Sequence, residues 1–158
     1  TELQLRAVYA TLANDGVARQ PRLVAATIDA AGHRLDLPLG TTRRVVSPET
    51  AGTMRHLLAA VVADGTGTKA AVPGYLLGCN TGTARKPPYE TPPYKYVSSF
   101  VGFAPVEAPR LAAIVVVDEP ARQFFGGTVA APVFSRIMQQ ALAVERVLGS
   151  DSTLAPLP

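Results

Sequence analysis

The order of elements along the chain predicts an α/β domain built on a mostly antiparallel sheet with helices flanking it. Three observations predict it. Apolar residues recur at a roughly 3.6-residue period in three separated stretches, the signature of amphipathic helices. Two β-prone runs, Tyr96 to Phe103 and Leu111 to Val117, are joined through Ala104-Pro105 and Ala108-Pro109, so they form a hairpin and lie antiparallel. Composition supplies the core: 47% of the 158 residues are hydrophobic and 17% are charged, which excludes a disordered chain.

The first helix covers Thr1 to Asn14, with Leu5, Val8, Tyr9 and Leu12 as its apolar stripe, Thr1 as its cap and Asn14-Asp15-Gly16 as its stop. Gln20 to Ile28 is β-prone, Asp29 to Gly32 is a turn, and Arg34 to Leu37 returns as the second strand of a hairpin. Ser47-Pro48-Glu49 starts the second helix: serine is a favoured N-cap, proline suits the first helical position, and glutamate complements the helix dipole. Met54, Leu57, Leu58 and Val61 are its apolar face, and Asp64-Gly65 ends it. A loop from Gly65 to Gly74 leads into the strand Leu76 to Ala84. Arg85 to Tyr94 holds four prolines and is irregular. Gly126-Gly127-Thr128 precedes the last helix, whose stripe is Phe134, Ile137, Met138, Ala141 and Leu148, with Pro132 in the first turn and Gly149 as its stop. Residues 1–148 are one structural unit and 149–158 a flexible tail.

Several function classes are excluded or weakened at this level. The net charge of +3 is scattered in pairs such as Arg43-Arg44 and Arg85-Lys86, without the clustered basic stripe that nucleic acid requires. No apolar run approaches the roughly 20 residues that span a bilayer. The single cysteine, Cys79, excludes an internal disulfide. It reads as a buried, inert thiol. His33 and His56 are not at metal-ligand spacing and read as surface histidines, so no metal or cofactor is implied. Asp118-Glu119 reads as a turn at a strand end rather than an acid pair. The loop Lys86 to Tyr94 reads as a stiff surface loop.

The informative segment is Leu76-Leu77-Gly78-Cys79-Asn80-Thr81-Gly82-Thr83-Ala84. It is a poor strand by propensity, with two internal glycines, which marks close approach of another group to the backbone. Thr81 and Thr83 share a face by the two-residue strand period, so two hydroxyls stand side by side. Hydroxyls and backbone N–H groups at a strand suit a carboxylate or a developing oxyanion.

This segment resembles the Lys-Thr-Gly motif of the serine penicillin-binding proteins and β-lactamases. Further blocks follow the same family in order: Leu3 to Gly16, Gly65 to Tyr75, Ser99 to Pro105, Val115 to Pro120 and Gly126 to Phe134. The likeness covers nearly the whole chain, to about Leu148, and is nearest to the division-specific class B members. The resemblance implies a penicillin-binding, β-lactamase-like fold of which this chain is the C-terminal part. It implies acyl transfer in septal peptidoglycan cross-linking, through a serine acyl-enzyme on D-Ala-D-Ala stem peptides. Thr81, Gly82 and Thr83 are then the substrate-binding residues, and the N–H of Thr83 is half of the oxyanion hole. Implied partners are stem peptides, β-lactams, the upstream half of the same domain, and division and glycan-polymerising proteins. The parent is then anchored in the bacterial inner membrane by a segment absent here, with this domain on the periplasmic or extracellular face.

The chain departs from the family pattern twice. It contains no Ser-x-x-Lys and no convincing Ser-x-Asn, so the nucleophile is expected from an upstream segment or a separate chain. Asn80 stands where the family has lysine, which removes a positive charge and leaves only a hydrogen-bonding amide. A catalytically weakened or inactive module that binds peptidoglycan or division partners is the alternative.

Overall fold

A computed structural model describes residues 1–149. The elements are α1 (Glu2–Ala13), β1 (Val17–Arg19), β2 (Ala26–Ile28), β3 (Arg34–Asp36), β4 (Thr42–Arg44), α2 (Pro48–Ala63), a 3₁₀ turn (Thr68–Ala70), β5 (Gly78–Arg85), β6 (Tyr96–Ala104), β7 (Leu111–Asp118), the single turn α3 (Gly126–Val129) and α4 (Ala131–Val144). The expected tail, residues 149–158, lies outside the described residues except for Gly149.

The local start signals work as the chemistry dictates. Thr1 and Gln4 form a capping box at α1. Ser47 Oγ accepts the Thr50 N–H at 3.1 Å at the start of α2, with Pro48 in the first turn. The central sheet has the order β5-β6-β7 and both pairings are antiparallel, as the short loops predict. The register places Thr81 opposite Phe100 and Phe100 opposite Val115.

Alternation divides the sheet into two faces. One carries Leu77, Cys79, Phe100, Ala104, Ala113 and Val115 and packs on Phe134, Met138 and Leu142 of α4. The other carries Phe103 and Ala112 and packs on Tyr9, Leu12 and Ala13 of α1. Helix α2 serves both cores, giving Val62 to the first and Leu58 and Ala59 to the second. The α/β class with helices on both faces is therefore observed.

Four local expectations are corrected. The hairpin β2–β3 forms as expected, but it is enclosed by a second ribbon, β1 with β4, that the sequence reading missed. These strands have three residues each, too short to show alternation. Leu5 and Val8 of α1 and Leu57 of α2 are exposed, whereas Ala51 and Ala59 are buried. The buried face of α2 runs through Ala51, Leu58, Ala59 and Val62, one position on from the expected stripe. Gly126 to Thr128 is not a lead-in but part of its own helical turn, and α4 ends at Val144, leaving Leu148 exposed outside the helix. Finally, β5 begins two residues later than expected, at Gly78.

Candidate functional site

Strand β5 lies at the edge of the central sheet: its second side pairs with no strand among the described residues. Gly78 and Cys79, at its start, are buried, while Asn80, Thr83 and Ala84 are exposed. The strand thus leaves the core and becomes accessible where the threonines begin.

Thr81 and Thr83 line one cleft of ≈ 270 Å³, together with Thr66, Lys69, Phe125 and Gly127. The shared face expected from strand alternation is observed. Thr66 Oγ1 lies 3.0 Å from Thr81 Oγ1, which joins the loop before β5 to the strand. Thr83 Oγ1 accepts the Gly126 N–H at 3.1 Å, which joins the strand to α3. Among the described residues no carboxylate lines this cleft, and its polar lining residues are threonines and Lys69.

Asn80 stands apart from that pair. Its Oδ1 accepts the N–H of Thr81 at 2.9 Å, and its side chain lies on the opposite face of the sheet, towards Tyr9 of α1. Burial pushes the Tyr9 phenol above its ordinary value, and the polar Asn80 side chain partly offsets this. The Thr81 N–H is therefore engaged from the free side of β5. By the alternation of an antiparallel ladder, the N–H of Thr83 two residues on faces the same free side.

The glycines here are demanded by close approach. A Cβ on Gly82 would fall within contact of Ser99 Oγ on β6. A Cβ on Gly126 would collide with the Ser99 carbonyl oxygen and lie 2.6 Å from the Gly82 carbonyl oxygen. Only a glycine lets α3 sit directly on the β5–β6 ladder. Gly126→Ala is expected to lower stability by roughly 1–3 kcal/mol, since backbone and not a flexible side chain must move. A thermal unfolding midpoint equal to that of the parent would contradict this.

The remaining sequence assignments have clear places. Cys79 is fully buried, and burial pushes its thiol far above the ordinary value, which makes it inert at neutral pH. Asp118 and Glu119 are not an acid pair facing the cleft. Both hold Lys86 Nζ, at 2.9 and 2.6 Å, and Glu119 also holds Lys95 at 2.6 Å, so they anchor the proline-rich loop. These pairings lower the Glu119 carboxyl and raise the Lys86 ammonium. The loop is closed by Lys86 N–H donating to the Lys95 carbonyl at 2.8 Å, and the Arg85 guanidinium lies 3.4 Å over the Tyr94 ring. His33 pairs with Asp29 in the turn of the β2–β3 hairpin. Among the described residues no cluster of three metal-binding side chains occurs, and no helix is long and apolar enough to cross a membrane.

Sequence reasoning missed Thr66, Lys69 and Phe125 as neighbours of the threonine pair. No spacing signal connects them, because Thr66 and Phe125 are brought in by the loop before β5 and the turn before α3.

Comparison with known proteins gives concordant findings. Residues 1–139 match the penicillin binding protein transpeptidase domain. Penicillin-binding protein PbpB of Mycobacterium tuberculosis is 37% identical over 169 residues, covering 99% of this chain and 25% of the relative. The probable peptidoglycan D,D-transpeptidase PenA of Neisseria gonorrhoeae is 36% identical over 164 residues, covering 96% of this chain and 24% of the relative. The crystal structure of penicillin binding protein 3 from the Mycobacterium species, complexed with ampicillin, aligns with a TM-score of 0.85 at 37% identity. It is matched over 99% of this chain and 37% of that one. The chain thus spans about a quarter of the length of the sequence relatives it matches.

Proposed function

The chain belongs to the penicillin-binding protein transpeptidase domain family, among its class B members, and from that premise we propose that it forms the substrate-holding edge of a peptidoglycan D,D-transpeptidase. The observation that carries the reading is the exposed end of β5, where two threonine hydroxyls line a cleft free of carboxylates. An extended stem peptide adds to this edge as a further strand. Thr81 and Thr83 hold its terminal carboxylate, Gly82 keeps the strand surface low, and the Thr83 N–H stabilises the oxyanion as the acyl-enzyme forms.

The nucleophilic serine comes from an upstream segment of the same domain. Two features support this: the chain contains no Ser-x-x-Lys, and the outer side of β7 pairs with no strand among the described residues. A serine delivered to the free side of β5 meets the peptide carbonyl there. It adds to the carbonyl, the amine of the terminal D-Ala leaves, and an amine of a second stem displaces the serine. β-Lactams enter by the same first step. We place the parent in septal cell-wall synthesis, anchored in the inner membrane with this domain outside the cytoplasm, beside division and glycan-polymerising partners. Residues 1–148 form its transpeptidase portion.

Labelling of the full-length polypeptide by a fluorescent penicillin tests the reading. Thr81→Val and Thr83→Val are each expected to slow labelling about tenfold or more, since each deletes a hydrogen bond to a charged group. Labelling unaffected by both changes would remove the threonines from the site. A second reading, a binding module of reduced activity, is favoured by one observation: the Asn80 side chain is neutral and its Oδ1 is already engaged by the Thr81 N–H. Binding of a D-Ala-D-Ala peptide without labelling would select it.

A further inference from the structure

We propose that Lys69 supplies the positive charge that recognises the carboxylate of the bound peptide. The proposal rests on the transpeptidase reading above and assigns to this residue a task that Asn80 cannot perform.

Lys69 lies in the 3₁₀ turn between α2 and β5, and its backbone position is fixed from several sides. Gly67 N–H donates to the Val61 carbonyl at 3.0 Å, and Ala70 N–H to the Gly67 carbonyl at 2.8 Å. Ser135 of α4 donates to the Ala71 carbonyl at 2.8 Å. Ala70, the next residue, is completely buried in the core. The backbone is rooted, the residue is exposed, and Lys69 is among the residues that line the cleft of Thr66, Thr81 and Thr83.

The charge on Lys69 is uncommitted. Among the described residues the ion pairs occupy Lys86, Lys95, Arg34, Arg55 and His33, and none uses Lys69. Arg85, the cation carried by β5 itself, is stacked on Tyr94. Among the described residues Lys69 is the one basic residue that lines the cleft. Asn80 contributes no charge and turns to Tyr9 on the other face of the sheet. A monoanion placed against Thr81 and Thr83 therefore meets two hydroxyl donors and one unpaired ammonium on a flexible stem, a set that makes charge-assisted hydrogen bonds.

The test uses the full-length polypeptide and two probes, N-acetyl-D-Ala-D-Ala and its C-terminal carboxamide. The parent is expected to bind the acid more tightly than the amide. Lys69→Met is expected to weaken acid binding about tenfold and leave amide binding unchanged, the size of one charge-assisted hydrogen bond. Lys69→Arg, which keeps the charge, restores the preference. The proposal is overturned if Lys69→Met binds the acid as the parent does, or loses acid and amide equally. It is overturned as well if the parent binds neither probe or does not distinguish them. Thr81→Val and Thr83→Val separate the two levels: acid binding lost there but kept in Lys69→Met removes Lys69 alone, whereas acid binding kept in both threonine variants removes the site itself.

Discussion

On the proposed transpeptidase reading, Asn80→Lys is expected to raise the rate at which labelled penicillin acylates the full-length polypeptide by about 10²–10³-fold, the scale of one preorganised electrostatic group. Position 80 is exposed on β5, and its side chain lies on the face opposite the threonine cleft. The Oδ1 of its present amide accepts the Thr81 N–H, and a neutral amide cannot offset developing negative charge. On the proposed transpeptidase reading, a lysine there would add a cation on the face of the strand opposite the threonine cleft. The gain is therefore expected in the acylation step, with little change in the affinity for N-acetyl-D-Ala-D-Ala. Single-turnover labelling at saturating and limiting penicillin separates the two. A rate unchanged by the substitution would remove position 80 from the chemistry.

Phe100→Ala lowers the free energy of unfolding by about 3–5 kcal/mol. Phe100 is fully buried at the middle of the central strand, and its ring stands 5.0 Å from that of Phe134 at a tilt of 56°. Such a pair contributes about 0.5–1.5 kcal/mol beyond the area it buries. The ring also reaches the Gly67 turn, where a Cβ would lie 3.4 Å from its tip, so it props the segment that carries Lys69. The cavity left by truncation is walled by β6, α4 and that turn, all fixed by other contacts, which limits collapse. Denaturant unfolding of the full-length protein checks the figure, with Phe100→Leu as a milder control expected near 1 kcal/mol. A loss below about 1 kcal/mol for alanine would mean that the core closes over the gap.

Much of the fold was legible in the residues. The caps at Thr1 and Ser47, the stops at Asn14 and Asp64, and the antiparallel β6–β7 hairpin all depend on interactions within a few positions of chain. What failed to read was the β1–β4 ribbon. Its pairing joins Val17 to Arg44 across a long separation, and three-residue strands carry no usable period. The helix faces were read one position out for a related reason. Hydrophobicity ranks leucine above alanine, but the face that α2 turns inward runs through Ala51, Leu58, Ala59 and Val62, and Leu57 lies off it.

At the site, the sequence by itself determined the threonine pair on one strand face, the glycines among them, the missing lysine at position 80 and the absence of a serine motif. Each is a property of residue identity or of a two-residue period. Only the tertiary structure decided that Thr66, Lys69 and Phe125 meet those threonines, that the Asn80 side chain engages the Thr81 N–H, and that Asp118 and Glu119 clamp a loop. Those outcomes depend on how the loop before β5 and the turn before α3 close against the strand. Closure is set by the buried packing of Ala70, Phe100 and Phe134, which no local pattern encodes.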